Sequence, residues 1–380
     1  MKAHNSIYDI GIVGGGLAGL TLAIQAANAG YKTLLIEKET YPFHKVCGEY
    51  VSLESLPFLE QIGFLVNDRN LPVIKNLQLS DVKGNIYNFN LPLGGFGVSR
   101  FTLDDNLYKI AIAKGVEVLE NTKVQNVIFN NDSFTIETAK ENYTTKIAVG
   151  SFGKRSNIDI KWNRNFIQTK PGKLNNYIGV KYHIAYNFSK ENIALHNFKN
   201  GYCGISNIED NKCCLCYLTT ANNLKQNGNS IKLMEKNVLY QNPFLKDIFT
   251  TANFLYSEPL VISQVSFTKK QQVENNMLMV GDAAGLITPL CGNGMSMAMH
   301  ASKLAFENID AFLKQKISRI VMEKSYQTQW QQHFSKRLQM GRMVQSVFGN
   351  NTATSIFLKV MSNTKWLANK IIKSTHGEAF

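Results

Sequence analysis

Val13-Gly14-Gly15-Gly16-Leu17-Ala18-Gly19 joins two apolar runs, Tyr8–Val13 and Leu17–Ala29, and its reading decides the fold. The first run is short and strand-like. The second has the length of a buried helix, with Gly30 placed to end it, and Lys32–Glu37 follows as a second strand. Strand, helix and strand in that order imply a parallel sheet. Gly14, Gly16 and Gly19 stand in G-x-G-x-x-G spacing. Gly14 permits the tight turn, Gly16 lets a pyrophosphate approach the backbone at the positive helix end, and Gly19 lets the helix pack on the sheet. Glu37 ends the second strand, where an acidic side chain can accept from ribose hydroxyls. The spacing points to an adenine dinucleotide, without separating FAD from NAD.

Working outward, Thr102 is expected to cap a helix whose apolar face is Leu103, Leu107, Ile110 and Ala111, with Asp105 in its first turn and Gly115 at its end. Strand-like runs follow at Val116–Phe129, Ser133–Glu137 and Tyr143–Val149, with Asn130-Asn131-Asp132 as a hairpin turn. From about 161 to 268 alternation dominates, in Tyr177–Ile184, Gly201–Ile208 and Cys213–Leu218, with one helix expected near Ser230–Tyr240. The α/β pattern returns with a strand at Met277–Val280 and a helix at Gly294–Leu313, and the remainder reads as helical.

Composition narrows the class. Of 380 residues, 44% are apolar and 18% charged, which excludes disorder. No run of about 18 apolar residues is present, and the first residues lack the pattern of a signal peptide, so a cytoplasmic protein is expected. The net charge of +13 is a diffuse lysine excess without a nucleic-acid module, so no nucleic-acid partner is expected. A solvated surface is the favoured reading, ahead of an acidic membrane or anionic substrate. Cys213-x-x-Cys216 invites a zinc or redox reading, yet it lies in a strand where Cys214 and Cys216 share one face and Cys213 points away. No second Cys/His pair stands at ligand spacing, so no metal is expected and the cysteines read as buried small residues. His183, His196, His300 and His333 receive no role.

A second block is more specific. Met277–Val280 runs into Gly281-Asp282-Ala283-Ala284-Gly285 and then Pro289-Leu290-Cys291-Gly292-Asn293-Gly294-Met295. Asp282 can hold a ribose or ribityl hydroxyl, and the backbone N–H groups of Gly292 and Gly294 suit an electron-rich ring edge. With Lys45-Val46-Cys47-Gly48-Glu49 and Ser99-Arg100, these blocks resemble the FAD-dependent oxidoreductases of the para-hydroxybenzoate hydroxylase fold, and among them the geranylgeranyl reductase-like family. The resemblance covers roughly residues 7–50, 95–156 and 277–310.

The resemblance implies an α/β architecture: a Rossmann-like FAD-binding domain (1–72, 97–160, 270–312), an inserted β-sheet substrate domain (73–96, 161–269) and C-terminal helices (313–380). It implies that Glu37 binds the FAD ribose, Arg100 lies at the phosphate and ribityl side, Asp282 contacts the ribityl–pyrophosphate, and Gly292–Met295 cradle the flavin. The full expected cofactor set is Gly14, Gly16, Leu17, Ala18, Gly19, Glu37, Lys38, Lys45, Cys47, Arg100, Val124, Gly281, Asp282, Gly285, Pro289, Gly292, Asn293, Gly294 and Met295. Cys47 and Glu49 would face the substrate pocket beside the flavin, where a thiol or carboxyl could move a proton; from the residues alone the favoured reading of Cys47-Gly48 is a close-packed loop.

One departure stands out. Phe152 occupies the place of an aspartate that, in the hydroxylases, helps hold both FAD and NAD(P)H, so NAD(P)H as electron donor stays open. The reaction expected is hydride transfer from reduced flavin to a carbon–carbon double bond of a lipophilic small molecule, isoprenoid or polyketide-like. The alternative is hydroxylation of an aromatic or lipophilic substrate through a flavin hydroperoxide. Thr354–Ile372, amphipathic and lysine-studded, could rest on an anionic bilayer at the inner membrane face or simply close the core. The oligomeric state is left open.

Overall fold

A computed structural model describes residues 3–66, 70–168, 176–288, 290 and 292–380. Two sheets organise it. In the first, strands run in the order Val273–Glu274, Met277–Met279, Asn142–Gly150, Ala3–Val13, Thr33–Ile36 and Glu117–Leu119. All pairings from Met277–Met279 to Glu117–Leu119 are parallel. The opening glycine loop thus sits at the carboxyl end of a central strand, the place where open α/β sheets bind ligands. The expected run Val116–Phe129 is split into Glu117–Leu119 and Val124–Asn130, the latter forming a hairpin with Ser133–Thr138. Asn131 and Asp132 take positive φ at its turn, as a two-residue hairpin requires.

Apolar residues on both faces of the central strands explain the layering. Leu20, Ala23 and Ile24 of helix Leu17–Asn28 are buried with Ile10, Ile12 and Leu35 of the sheet, and Met299, Ala305 and Ile309 of helix Gly294–Leu313 join the same core. Each such Leu, Ile or Met side chain contributes about 1.5–3 kcal/mol on burial. Helix Arg100–Ala113 is capped by Ser99, whose hydroxyl accepts from the Thr102 N–H. That corrects the expected Thr102 cap: the Thr102 hydroxyl instead donates to Glu209.

The second sheet is mostly antiparallel, in the order Asn253–Phe254, Tyr177–Ala185, Cys213–Thr220, Gly201–Asn207, Asn192–Phe198, Val73–Ser80, Ile86–Gly97 and Tyr50–Ser52. One face, with Val180, Tyr182, Ile205, Leu215 and Tyr217, packs on helical residues Met234, Leu245 and Ile248. Among the described residues, three helices lie in this region rather than one: Ala221–Gln226, Ile231–Val238 and Pro243–Thr251. The third carries its own start signals, a cap from Asn242 and Pro243 in its first turn.

Alternation puts Tyr177, Gly179, Lys181 and His183 on the opposite face. There register sets His183 beside Cys214 and Lys181 beside Cys216, and Cys214 in turn beside Ser206. Tyr177, Leu195, Tyr202 and Leu218 continue this face and pack on Val344, Phe348 and Leu358 of the C-terminal helices. The C-terminal amphipathic segment is two helices, Asn351–Asn363 and Lys365–Thr375, broken at Thr364. Among the described residues, no helix is long and apolar enough to cross a membrane.

Candidate functional site

The glycine loop is shaped by contacts that no side chain could share. Gly14 has φ +103°, and a Cβ there would collide with the Ser151 carbonyl; one at Gly19 would collide with the Gly14 carbonyl. Gly16 differs. A Cβ on it would approach only the Lys45 ammonium, at 3.8 Å, and the Ser151 carbonyl, at 4.0 Å, so space lies open over this residue beside a cation. Leu17 and Ala18 are buried in the helix's first turn. Glu37 is placed at the end of its strand as expected, with its carboxylate accepting N–H groups from Gly15 (2.7 Å), Lys38 (2.8 Å) and Glu39 (3.1 Å). It therefore ties the glycine turn to the strand end. Lys38 itself is exposed and paired with Glu39, and the Val124 carbonyl accepts from Asn157.

The second block converges on the same loop. Gly281, at φ +59°, lies against Ala18, which brings Asp282 beside the first helix. Burial pushes the Asp282 carboxyl up, against the opposing pull of Lys270, Arg100, Lys154 and Lys45. Burial likewise pushes Lys270 down to about 8; its ammonium donates to the carbonyls of Lys154 (2.6 Å) and Asp282 (2.7 Å). Arg100 grips Asp104 through two bonds of 2.7 Å, and Lys45 adds a third at 3.0 Å. Gly285 packs under the Trp330 ring, and Gly292, at φ +63°, lies against the Tyr50 ring. Asn293 precedes helix Gly294–Leu313 and donates to the Thr375 carbonyl, while Met295 is buried in the core. Pro289 and Cys291 lie outside the described residues. An open glycine cradle, a ring of cations and a helix N-terminus preceded by glycine fit the pyrophosphate and ring edge of FAD.

Between the sheets runs the loop that carries Cys47 and Glu49. Glu49, fully buried and at φ +55°, is its anchor. One carboxylate oxygen accepts from the Arg100 N–H (2.7 Å) and from the Lys181 ammonium; the other meets His183 Nε2 at 2.6 Å. Lys181 also donates to the Lys45 carbonyl (3.0 Å), and the Cys214 thiol to the Cys47 carbonyl (3.3 Å). Burial opposes the Glu49 charge, but Lys181 and His183 outweigh it and hold its pKa below the usual carboxylate value; Glu49 in return holds Lys181 above the usual lysine value. Burial raises the Cys47 thiol, so it keeps its proton at neutral pH. Ligand-type atoms of Glu49, His183 and Cys214 lie within 4.8 Å of one another, yet the Lys181 ammonium already supplies the positive charge there.

The structure thus brings Cys47 and Glu49 together with two residues the sequence reading passed over, Lys181 and His183. The signal was available: both sit at alternate positions of one strand, on the face that also carries Cys214 and Cys216.

Residues 8–161 match the family described as pyridine nucleotide-disulphide oxidoreductase. The chain is 26% identical over 371 residues to conditioned medium factor receptor 1 of Dictyostelium discoideum, across 90% of this chain and 71% of that one. It is 24% identical over 365 residues to the digeranylgeranylglycerophospholipid reductase of Methanococcus vannielii, across 89% and 86%. A solved geranylgeranyl bacteriochlorophyll reductase-like protein of Thermoplasma acidophilum shares the fold, with a TM-score of 0.76 at 18% identity over 98% of this chain and 92% of that one. With its glycine cradle and its ring of cations, the chain has the fold of the FAD-dependent oxidoreductases and is similar along most of its length to proteins named as geranylgeranyl-type reductases.

Proposed function

We propose that the protein saturates a carbon–carbon double bond in a lipophilic small molecule, isoprenoid or polyketide-like. Bound FAD, once reduced, supplies the hydride. The chain must then deliver a proton to the second carbon, and the observation that carries this reading is the Cys47 thiol. Burial keeps it protonated, and Glu49, locked by Lys181 and His183, fixes the loop that presents it. The likeness to digeranylgeranylglycerophospholipid reductases supports the same substrate class.

The test is product mass spectrometry with reduced, FAD-loaded protein, a lipid extract of the source cells and labelled oxygen gas. A product heavier by two hydrogens and free of label is expected, and Cys47→Ala lowers its yield by about 10²-fold, the lower end for loss of a positioned proton donor. A labelled product makes the protein a monooxygenase and overturns the reading.

A further inference from the structure

Glu49 and Lys181 alone would suffice to lock the loop. The hydrogen bonds do not stop there. His183 Nδ1 lies 3.2 Å from the Tyr256 hydroxyl, and that hydroxyl lies 3.0 Å from His44 Nε2. The series His44, Tyr256, His183, Glu49 is therefore continuous, and each member can both take up and release a proton. Its two ends differ in exposure: Tyr256 is 39% exposed, His183 2% and Glu49 0%. Cys47 stands next to the inner end, where its sulfur accepts the Glu49 N–H at 3.5 Å.

We propose that Tyr256, His183 and Glu49 form a proton path from the protein surface to the loop that carries Cys47, with His44 beside its mouth. It rests on the reading above only in taking Cys47 as the proton donor to substrate. The path is a relay without net chemistry. The Tyr256 hydroxyl gives its proton to His183 Nδ1, His183 Nε2 releases one to the Glu49 carboxylate, and solvent or His44 restores the proton on Tyr256. At the inner end the proton arrives on the Glu49–Lys181 pair, whose charges act on the Cys47 thiol, and in this proposal it replaces the one that the thiol has given up. His183 is faced by Glu49 from the loop, Lys181 from its own strand, Cys214 from the neighbouring strand, and Tyr256 and the His44 ring (5.3 Å) from the surface side. Lys212 and Glu209 are further charges that act on Tyr256. Of the groups that face His183, Glu49, Lys181 and Cys214 are buried, and those on the Tyr256 side reach the surface.

The test needs no carbon substrate. FAD-loaded protein is photoreduced, then mixed in the dark with oxygenated, weakly buffered pH-indicator dye. Anionic reduced flavin, oxygen and one proton become oxidised flavin and hydrogen peroxide, so flavin absorbance reports the electrons and the dye reports the proton. In wild type the two signals keep pace. In Tyr256→Phe, which leaves the buried Glu49–Lys181 pair intact, the dye lags the flavin by about tenfold or more, within the range of a lost positioned proton carrier. Tyr256→His, which restores a titratable group, recovers part of the rate. A dye signal that keeps pace with the flavin in folded Tyr256→Phe overturns the path and leaves the double-bond reading standing. The expected lag in Tyr256→Phe, without any saturated product from wild type in the lipid assay, does the reverse.

Discussion

Glu49→Gln probes the buried network most directly, because glutamine keeps the shape and the bond to the Arg100 N–H while removing the charge. The Lys181 ammonium, 1% exposed, then loses its counter-charge. Breaking one partner out of a buried ion pair costs about 3–5 kcal/mol, a large share of the roughly 5–15 kcal/mol that holds a typical domain folded. The double variant Glu49→Gln/Lys181→Met removes the stranded charge as well and recovers most of that loss. The assay is urea unfolding of FAD-loaded protein, followed by flavin release. The pH dependence has a fixed sign. Glu49 is held below its ordinary value of 4.5, so its contribution is present above that pH and disappears as the pH falls through the folded value. Lys181 is held above 10.5, so its contribution is present below that pH and disappears as the pH climbs through the folded value. A single variant that loses less than about 1 kcal/mol between these limits would refute the claim that the pair is desolvated and mutually dependent.

Three other expectations follow from separate parts of the molecule. Gly16→Val should fold within about 1 kcal/mol of wild type yet purify without flavin colour, whereas Gly19→Ala, forced into the Gly14 carbonyl, should lose about 1–3 kcal/mol; urea midpoints and the visible spectrum tell them apart. FAD should bind most tightly below pH about 8, where Lys270 is protonated, and weaken above it by at most about tenfold per pH unit; Lys270→Met should flatten a fluorescence-titrated profile that otherwise shows this bend. Ile356, Val360 and Trp366 are exposed on helices whose Leu358, Met361 and Ala368 are buried. If the C-terminal helices rest on an anionic bilayer, Ile356→Ser/Trp366→Ser should lower sedimentation with anionic vesicles while FAD stays bound, and unchanged sedimentation would sink that role.

What could be read from the chain, and what could not, divides by the range of the interactions. The glycine loop was legible because its demands are local: a turn at Gly14 and close packing at Gly19 fall within seven residues of one strand–helix junction. The end of helix Gly294–Leu313 was legible for the same reason. Thr102 was assigned the cap that Ser99 makes because both hydroxyls satisfy the local rule, and the deciding group, Glu209, arrives from the other sheet. Glu37 was legible as the acidic end of its strand, but the backbone N–H groups of residues 15, 38 and 39 that orient its carboxylate were not, because that of Gly15 comes from a separate turn. The Glu49 network is the extreme case. Its partners lie 132 and 134 residues away, and whether Lys181 and His183 meet the loop depends on strand register, where a shift by one residue would turn both toward Met234 and Leu245. Register in this sheet is held by the apolar residues at 180, 182, 205 and 215 on the far face. The core on one side of the sheet thus fixes the polar chemistry on the other, so a substitution such as Val180→Asp, on the face turned away from the site, should unlock the Cys47 loop by the same route as removing Glu49 itself.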